Sequence, residues 1–452
     1  MKHLLFLLLF FVGTGATLLG QAVTTTVNGW TRAGIYSDLY DLGGSSPFSS
    51  LYTDAGIRAD IRNNLNFRGY IDLRYRYGSE FRTPVSQFQV REAYISVYGK
   101  KLEFIIGQRI VKWGRADFDN PTSSLNPRNF IVRSPEKEDI DLGNISASVI
   151  YKPARFISLQ AIVTPMYRSD VMITAPLRLP PTVTIEELDQ LVALSSVAGW
   201  GAKADFYLSP VDISFSFFEG YDPLPGIRFM NLDMVMSEEG VQLFTTLAVT
   251  PYRVKRYGAD FETTAGRFGV RGEVSITKPE LSFRINEHVP MPEVKWVLGA
   301  DLTAGLFTMG AEYFGKFITD YEPSPLQPVV PGDIPPLTPE QIAAIPGGPE
   351  GFATMQIAAF NRLYMYQLNE WYHSLGLRIG ADLAAGKVAP TLHMVYNLTT
   401  RELALVPAVK VRPADGLSLI AGADIFKGRE GSLYDIIDRP LSGLFVSVRI
   451  DF

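Results

Sequence analysis

Between residues 55 and 61 every second residue is apolar: Ala55, Ile57, Ala59 and Ile61. Asp54, Gly56, Arg58, Asp60 and Arg62 fall between them. After Asn63-Asn64 the alternation resumes. Leu65, Phe67, Ile71, Leu73, Tyr75 and Tyr77 lie on one face, and Asn66, Arg68, Tyr70, Asp72, Arg74 and Arg76 on the other. A period of two sends successive side chains to opposite sides of an extended strand, so the stretch predicts a hairpin turning at Asn63-Asn64. One face suits hydrocarbon and the other carries ions. Taken alone, the hairpin fits a soluble sheet on a core as well as a sheet in lipid.

Repetition separates the two. Residues 198–208, 211–217, 267–277 and 371–383 copy the pattern; in the third, Phe268, Val270, Val274 and Ile276 oppose Arg267, Arg271, Glu273 and Ser275. Tight links occur at 63–64, 99–100, 152–153, 209–210, 264–266, 303–305, 384–386 and 413–416. They alternate with mostly longer ones at 41–50, 79–87, 114–141, 165–197, 222–252, 278–292, 318–369 and 427–440, with one short link near Thr399-Thr400. Short turns on one side and long loops on the other are the mark of a bacterial membrane barrel. The expectation is an all-β, transmembrane, antiparallel up-and-down β-barrel of 16 to 18 strands, with 18 the preferred count. A closed sheet leaves no backbone group unpaired in lipid, and its ionic face then needs water in the lumen.

The two ends fit this reading. Lys2 and His3 precede an apolar run at 4–12 and small residues up to Gly20-Gln21-Ala22, the pattern of an export signal cut near Ala22. The run is shorter than the ~20 residues of a spanning helix. Residues 1–22 are therefore expected to be a signal peptide, and 23–452 one barrel with long extracellular loops at 114–141, 165–197, 222–252 and 318–369. No plug domain is expected before the first strand, which argues against an energised receptor. Leu444, Val446, Val448, Ile450 and Phe452 alternate with polar or inward positions to the last residue. This resembles the C-terminal strand that the barrel-assembly machinery reads, and the expected location is the outer membrane.

Some local features carry their own expectations. Trp30, Tyr75, Tyr77, Tyr98, Trp371 and Tyr372 are expected at the membrane interfaces as an aromatic girdle. Pro390 and Pro407 each remove a ladder donor, so distortion is expected there. Thr184 and Glu187 have capping-box spacing and predict a short helix over 184–194. Loop 318–369 predicts helices at 339–345 and 352–363. Its apolar Met355, Ile357, Phe360, Leu363, Met365 and Tyr366 lead it either over the mouth or into the pore, or else onto neighbouring loops.

Composition excludes more than it selects. The 452 residues carry a net charge of -5 and no cysteine. A nucleic-acid partner, disulfides and thiolate metal sites have no support. His3, His288, His373 and His393 are the four histidines. None has a nucleophile and carboxylate at a recognisable spacing, so no enzyme and no cofactor is expected. Asp117-Phe118-Asp119-Asn120 lacks the remaining ligands of a calcium loop and reads as a solvated acidic turn. The run Glu136, Glu138, Asp139 and Asp141 likewise reads as loop surface.

The charges with most to say lie on the inner face. Strands two to five bear Arg58, Arg62, Arg68, Arg74, Arg76, Arg91 and Arg109 against Asp54, Asp60 and Asp72. Arg58, Arg74, Arg91 and Arg109 are expected near mid-height on neighbouring strands. Opposite them the charges are mixed: Asp260, Glu262, Arg271, Glu273, Glu312, Arg378 and Asp382. A basic wall facing a partly acidic one sets a transverse field that favours anionic or dipolar solutes. Equally, the arginines pair with loop carboxylates and stiffen the wall.

Residues 107–117 read Gly-Gln-Arg-Ile-Val-Lys-Trp-Gly-Arg-Ala-Asp, and Asn126-Pro127-Arg128 follow. The pattern Gly-Gln-x-x-x-x-Trp-Gly-x-x-Asp with Asn-Pro-Arg resembles porin-type barrels, nearest to the phosphate-selective porins and a further porin-like family that shares the Trp-Gly element. The resemblance implies that the third outer loop folds inward and narrows the pore, placing Arg109, Arg115 and Arg128 near the eyelet. It also implies trimerisation. No run of lysines like that used for phosphate is present. The expected activity is passive diffusion of small hydrophilic, chiefly anionic solutes, with outer-membrane lipid as surroundings. Two alternatives stand beside it: a carrier of hydrophobic compounds, suggested by lumenal Tyr70, Phe218, Phe314, Ile420 and Phe445, and a loop-plugged surface barrel.

Overall fold

The computed structural model describes residues 23–40, 48–63, 66–123, 125–172, 181–188, 198–237, 240–324, 326–328 and 347–452. The expected signal peptide and the expected helix at 339–345 lie outside them. The wall opens with β1 (Val23–Asp38), β2 (Phe48–Asn63), β3 (Phe67–Glu80), β4 (Thr83–Tyr98) and β5 (Leu102–Arg109), then β6 (Asn144–Ala154) and β7 (Ile157–Thr164). A short strand off the wall, β8 (Val183–Glu186), precedes β9 (Gly199–Tyr207) and β10 (Val211–Tyr221). A second excursion, β11 (Gly226–Ser237) and β12 (Gly240–Thr250), leads to β13 (Arg253–Ala265) and β14 (Phe268–Pro279). β15 (Glu293–Ala304), β16 (Phe307–Ile318), β17 (Trp371–Ala381) and β18 (Val388–Asn397) follow, with helix α1 (Gly348–Tyr364) between β16 and β17. β19 (Glu402–Ala414), β20 (Leu417–Lys427), helix α2 (Leu433–Leu441) and β21 (Gly443–Asp451) complete the chain.

Eighteen of these strands form one antiparallel sheet. It closes where β1 pairs with β21, from Trp30 opposite Asp451 to Asp38 opposite Gly443. Phe452 exchanges both backbone hydrogen bonds with Gly29, at 2.7 and 2.8 Å, so the terminal aromatic seals the seam. The alternation of the sequence becomes the two faces of this wall. Ile57, Ile106, Leu298 and Val446 point outward and are more than half exposed, while Asp54, Asp72, Arg91 and Glu312 point inward and are buried. An apolar outer band around a charged lumen is stable only in a bilayer.

Several expectations need correction. Trp30 and Tyr372 are buried inside the barrel, and Tyr98 lines a lumenal cavity. All three share the strand parity of the inward charges, which overrides the tendency of aromatics to sit at interfaces. Tyr75, Tyr77 and Trp371 do face outward. The connection expected at 79–87 is a two-residue turn, Phe81-Arg82, both at positive φ (49° and 63°). Such turns usually carry Asn or Gly, so this one gave no signal. Residues 183–186 are a strand, parallel to β12 with Thr184 opposite Thr246, and not the start of a helix. Loop 222–252 is the β11–β12 hairpin standing above the wall. The ladder between β19 and β20 is interrupted at Val406 and Pro407, as expected, although Leu405 opposite Ile425 and Ala408 opposite Gly422 keep one register; it is interrupted again before Ala414, where the register shifts.

Above the wall, the long loops share a small core of their own. Met172, Ile227, Leu247, Ile357 and Phe360 pack together, and Leu363 of α1 meets Leu433, Ile437 and Leu441 of α2. Ile357, Phe360 and Leu363 are thus spent on neighbouring loops, while Met365 packs in the cluster around Trp113 and Tyr366 lines the lumen.

Candidate pore constriction

The loop between β5 and β6, residues 110–143, enters the lumen and is tied to both sides of it. Its departure from the wall is set by the Trp-Gly element. The amide of Asn126 takes both backbone groups of Val111, at 2.8 and 2.6 Å. Trp113 is buried, donates its indole N–H to Gln160 at 3.0 Å, and packs with Leu125, Ile162, Phe218 and Val254. Gly114 then adopts a φ of +81°, and a Cβ there would meet Asn120, Thr122 and Glu273. Only glycine allows this turn.

Past that turn the chain runs onto the far wall, which catches it by charge. Arg115 bonds Asp260 at 2.8 Å and Glu262 at 2.6 Å. Glu273 accepts the backbone N–H groups of Arg115 and Ala116 and the Thr122 hydroxyl. Glu312 accepts those of Asp117 and Phe118, at 2.9 and 3.0 Å, and also holds Arg271 at 2.9 Å. The Asp117 carboxylate bridges Arg271 at 2.7 Å and Arg378 at 3.2 Å. Buried carboxylates that accept backbone N–H groups act as clamps, because leaving any of these donors unpaired costs ~1–3 kcal/mol.

The returning limb is held by the basic wall. Asp139 lies among Arg32, Arg74 and Arg91, at 2.8, 2.6 and 3.2 Å. Glu136 pairs with Arg449 at 2.6 Å. These residues of the acidic run are therefore not loop surface; they neutralise guanidinium groups that would otherwise repel one another. Burial alone would raise the Asp139 carboxyl, but Arg32, Arg74 and the Ser134 hydroxyl outweigh it and hold it well below the usual carboxylate range.

Of the residues singled out from the sequence, Arg115, Arg271, Glu273, Glu312 and Arg378 meet in one network around Asp117. Asp72, Arg74 and Arg91 meet in another around Asp139, with Arg58 bound to Asp72 at 3.0 Å. Arg109 stands apart, bonded to Ser146 and Ser148 at 3.4 and 2.6 Å. Arg128 reaches Asp141 only at 3.8 Å. Sequence reasoning passed over Arg32 and Arg449, whose inward strand parity marked them, and over Lys410 and Arg412 on β19, marked in the same way.

Two cavities of the lumen flank the crossing loop. A cavity of about 320 Å³ opens above the crossing loop, lined by Asp119, Lys295, Lys316, Tyr372 and Glu402 among others. A larger one of about 790 Å³ lies beside and below it. The lower chamber is lined by six cations, Lys112, Arg128, Lys137, Arg378, Lys410 and Arg412, and four carboxylates, Asp117, Glu136, Glu138 and Asp141. Among the described residues, Lys410 and Arg412 have no carboxylate within 4 Å; both border the chamber, and Arg412 donates to the Gly386 carbonyl at 2.7 Å. Of the apolar lumenal residues, Phe218 and Phe445 are consumed in packed clusters, while Ile420 and Phe314 border the chambers.

No family model matches this chain, and no curated protein sequence does. Its fold is that of outer-membrane porins. OccAB2 of Acinetobacter baumannii superimposes with a TM-score of 0.53 at 9% identity, covering 95% of this chain and 98% of that one. OccK3 (OpdO) of Pseudomonas aeruginosa gives 0.52 at 10% identity, over 95% of each chain. OpdK of the same organism, solved with vanillate, gives 0.53 at 8% identity, over 95% and 98%.

Proposed function

We propose that this protein is an outer-membrane channel for passive diffusion of small hydrophilic solutes, with a modest preference for anions. The observation that carries the reading is the lower chamber, where cations exceed carboxylates by two and neither Lys410 nor Arg412 is neutralised by a carboxylate within 4 Å among the described residues. An 18-strand barrel is wide enough for an aqueous passage, and the inward loop narrows it to a width at which single charges matter. The roles divide accordingly. Arg378, Lys137, Lys410 and Arg412 face the solute. Arg271, Glu273, Glu312 and Arg115 fasten the loop, while Asp72, Arg74 and Arg91 brace the basic wall with Arg58 beside them. Arg109 lines a separate cavity with Arg62 and Arg68 near the periplasmic end, and Arg128 borders the main chamber.

The test is the reversal potential in planar bilayers under a salt gradient. The wild type is expected to favour anions, and Lys410→Glu with Arg412→Glu to favour cations. Equal selectivity of the two proteins would overturn the assignment. The absence of hydrophobic-carrier behaviour is checked by mass spectrometry of the purified protein, where bound lipid in the lumen would favour that rival.

A further inference from the structure

Phe118 is the one side chain among the described residues that borders both the upper and the lower chamber and projects from the crossing loop at its most tightly held point. Its backbone N–H is pinned to Glu312 on β16 at 3.0 Å. Directly across the ladder from Glu312 stands Gly376 of β17. The Phe118 ring lies against that glycine so closely that a Cβ there would come within 2.6 Å of it. On its other sides the ring meets the edge of His393, with centroids 6.5 Å apart, and the Lys137 ammonium 5.5 Å from its centroid. Lys137 belongs to the returning limb of the loop, and its ammonium also bonds the Asp117 carbonyl. The ring thus spans from the β17 wall to the far limb of the loop, across the boundary of the two chambers.

We propose that Phe118 is the partition of this pore: its ring, seated in the notch left by Gly376, sets the size limit for solutes passing between the chambers. The proposal rests on the channel reading above. The physics favours a moving side chain over a moving loop. The backbone at 115–118 is held by two buried carboxylates, whereas the ring is restrained by van der Waals contact, the edge of His393 and one cation–π contact worth ~0.5–2 kcal/mol. Rotation of such a ring is fast compared with loop release. In its seated position the ring also presents hydrocarbon to the narrowest water, which disfavours wetting there. Gly376 then has a definite role. Any side chain at 376 evicts the ring from its notch and drives it into the passage.

This gives paired variants of opposite sign, read as single-channel conductance and as liposome swelling with mono-, di- and trisaccharides. Phe118→Ala and the milder Phe118→Leu are expected to raise conductance, the former roughly twofold, and to flatten the discrimination between mono- and disaccharides. Gly376→Ala is expected to lower conductance. In the double variant Gly376→Ala with Phe118→Ala, the glycine effect should vanish, because it acts through the ring. Unchanged conductance and sugar discrimination in both Phe118 variants would overturn the partition, as would a Gly376→Ala loss that persists without the ring. A wild-type protein that conducts nothing and swells no liposomes would overturn the channel reading itself, a result distinct from either.

Discussion

Neutralising Asp117 isolates the electrostatics of the constriction. Its carboxylate bridges Arg271 and Arg378. Arg271 keeps Glu312 and Asp301 as partners at 2.9 and 3.2 Å when Asp117 becomes Asn. Among the described residues Arg378 has no other carboxylate partner, so its guanidinium turns to the solute. The lumen gains one positive charge with little change in shape. For an ion passing ~5 Å away in an aqueous lumen, one unit charge is worth ~0.8 kcal/mol before screening. At 0.1 M salt, with a Debye length of ~10 Å, about 0.5 kcal/mol survives. Anions gain that much and cations lose it, each by a factor of about two, so the anion-to-cation permeability ratio should rise about fivefold. At 1 M salt the Debye length falls to ~3 Å and the rise should shrink to less than about twofold. The assay is the reversal potential of Asp117→Asn in planar bilayers at both salt levels. An unchanged ratio at 0.1 M, or a shift toward cations, would refute the placement of Asp117 at the narrow point.

Three further outcomes are expected. Asp139→Asn leaves Arg32, Arg74 and Arg91 around an uncharged group. It should destabilise the loop by ~3–5 kcal/mol, seen as a lower melting temperature in detergent and as noisy, flickering channels. Trp113→Ala, which empties a buried indole site beside the loop's exit, should cost ~3–5 kcal/mol in the same melting assay. Asp170 is fully buried in the loop after β7, accepts the Arg128 backbone N–H at 2.7 Å, and its carboxyl is pushed up to about 7 by burial. The folded state therefore holds a proton that the unfolded chain has lost, so stability should fall as pH rises from ~4 to ~7, by roughly 2–4 kcal/mol, and then level off. Asp170→Asn should abolish that slope; a melting curve that keeps it would assign the slope to another group.

The wall was legible in the sequence because the property that defines it is local. Alternation at Ile57, Leu298 or Val446 is enforced by lipid on one side and water on the other, residue by residue. The turn at Phe81-Arg82 was not legible, since neither residue is one that positive φ selects. Nor was β11–β12, because a hairpin standing above the membrane has the same period as one inside it. The constriction divided along the same line. Strand parity pointed Arg74, Arg91, Glu273 and Glu312 inward correctly. Their partners, Asp139, Thr122 and the backbone of 115–118, belong to a loop with no period, and the contacts join residues 48 to 195 positions apart. Only the Trp-Gly element marked that loop, and its role is to turn the chain inward rather than to touch solute.

The most direct measurement uses the absence of cysteine from the natural chain. Lys410→Cys carries a single thiol on the inner face of β19, where the lower chamber is expected to be continuous with bulk water. In planar bilayers, a small anionic thiosulfonate reagent should lower conductance and cancel the anion preference when added on either side. A channel that keeps its conductance and selectivity after exposure from both sides would contradict an aqueous passage running past the crossing loop.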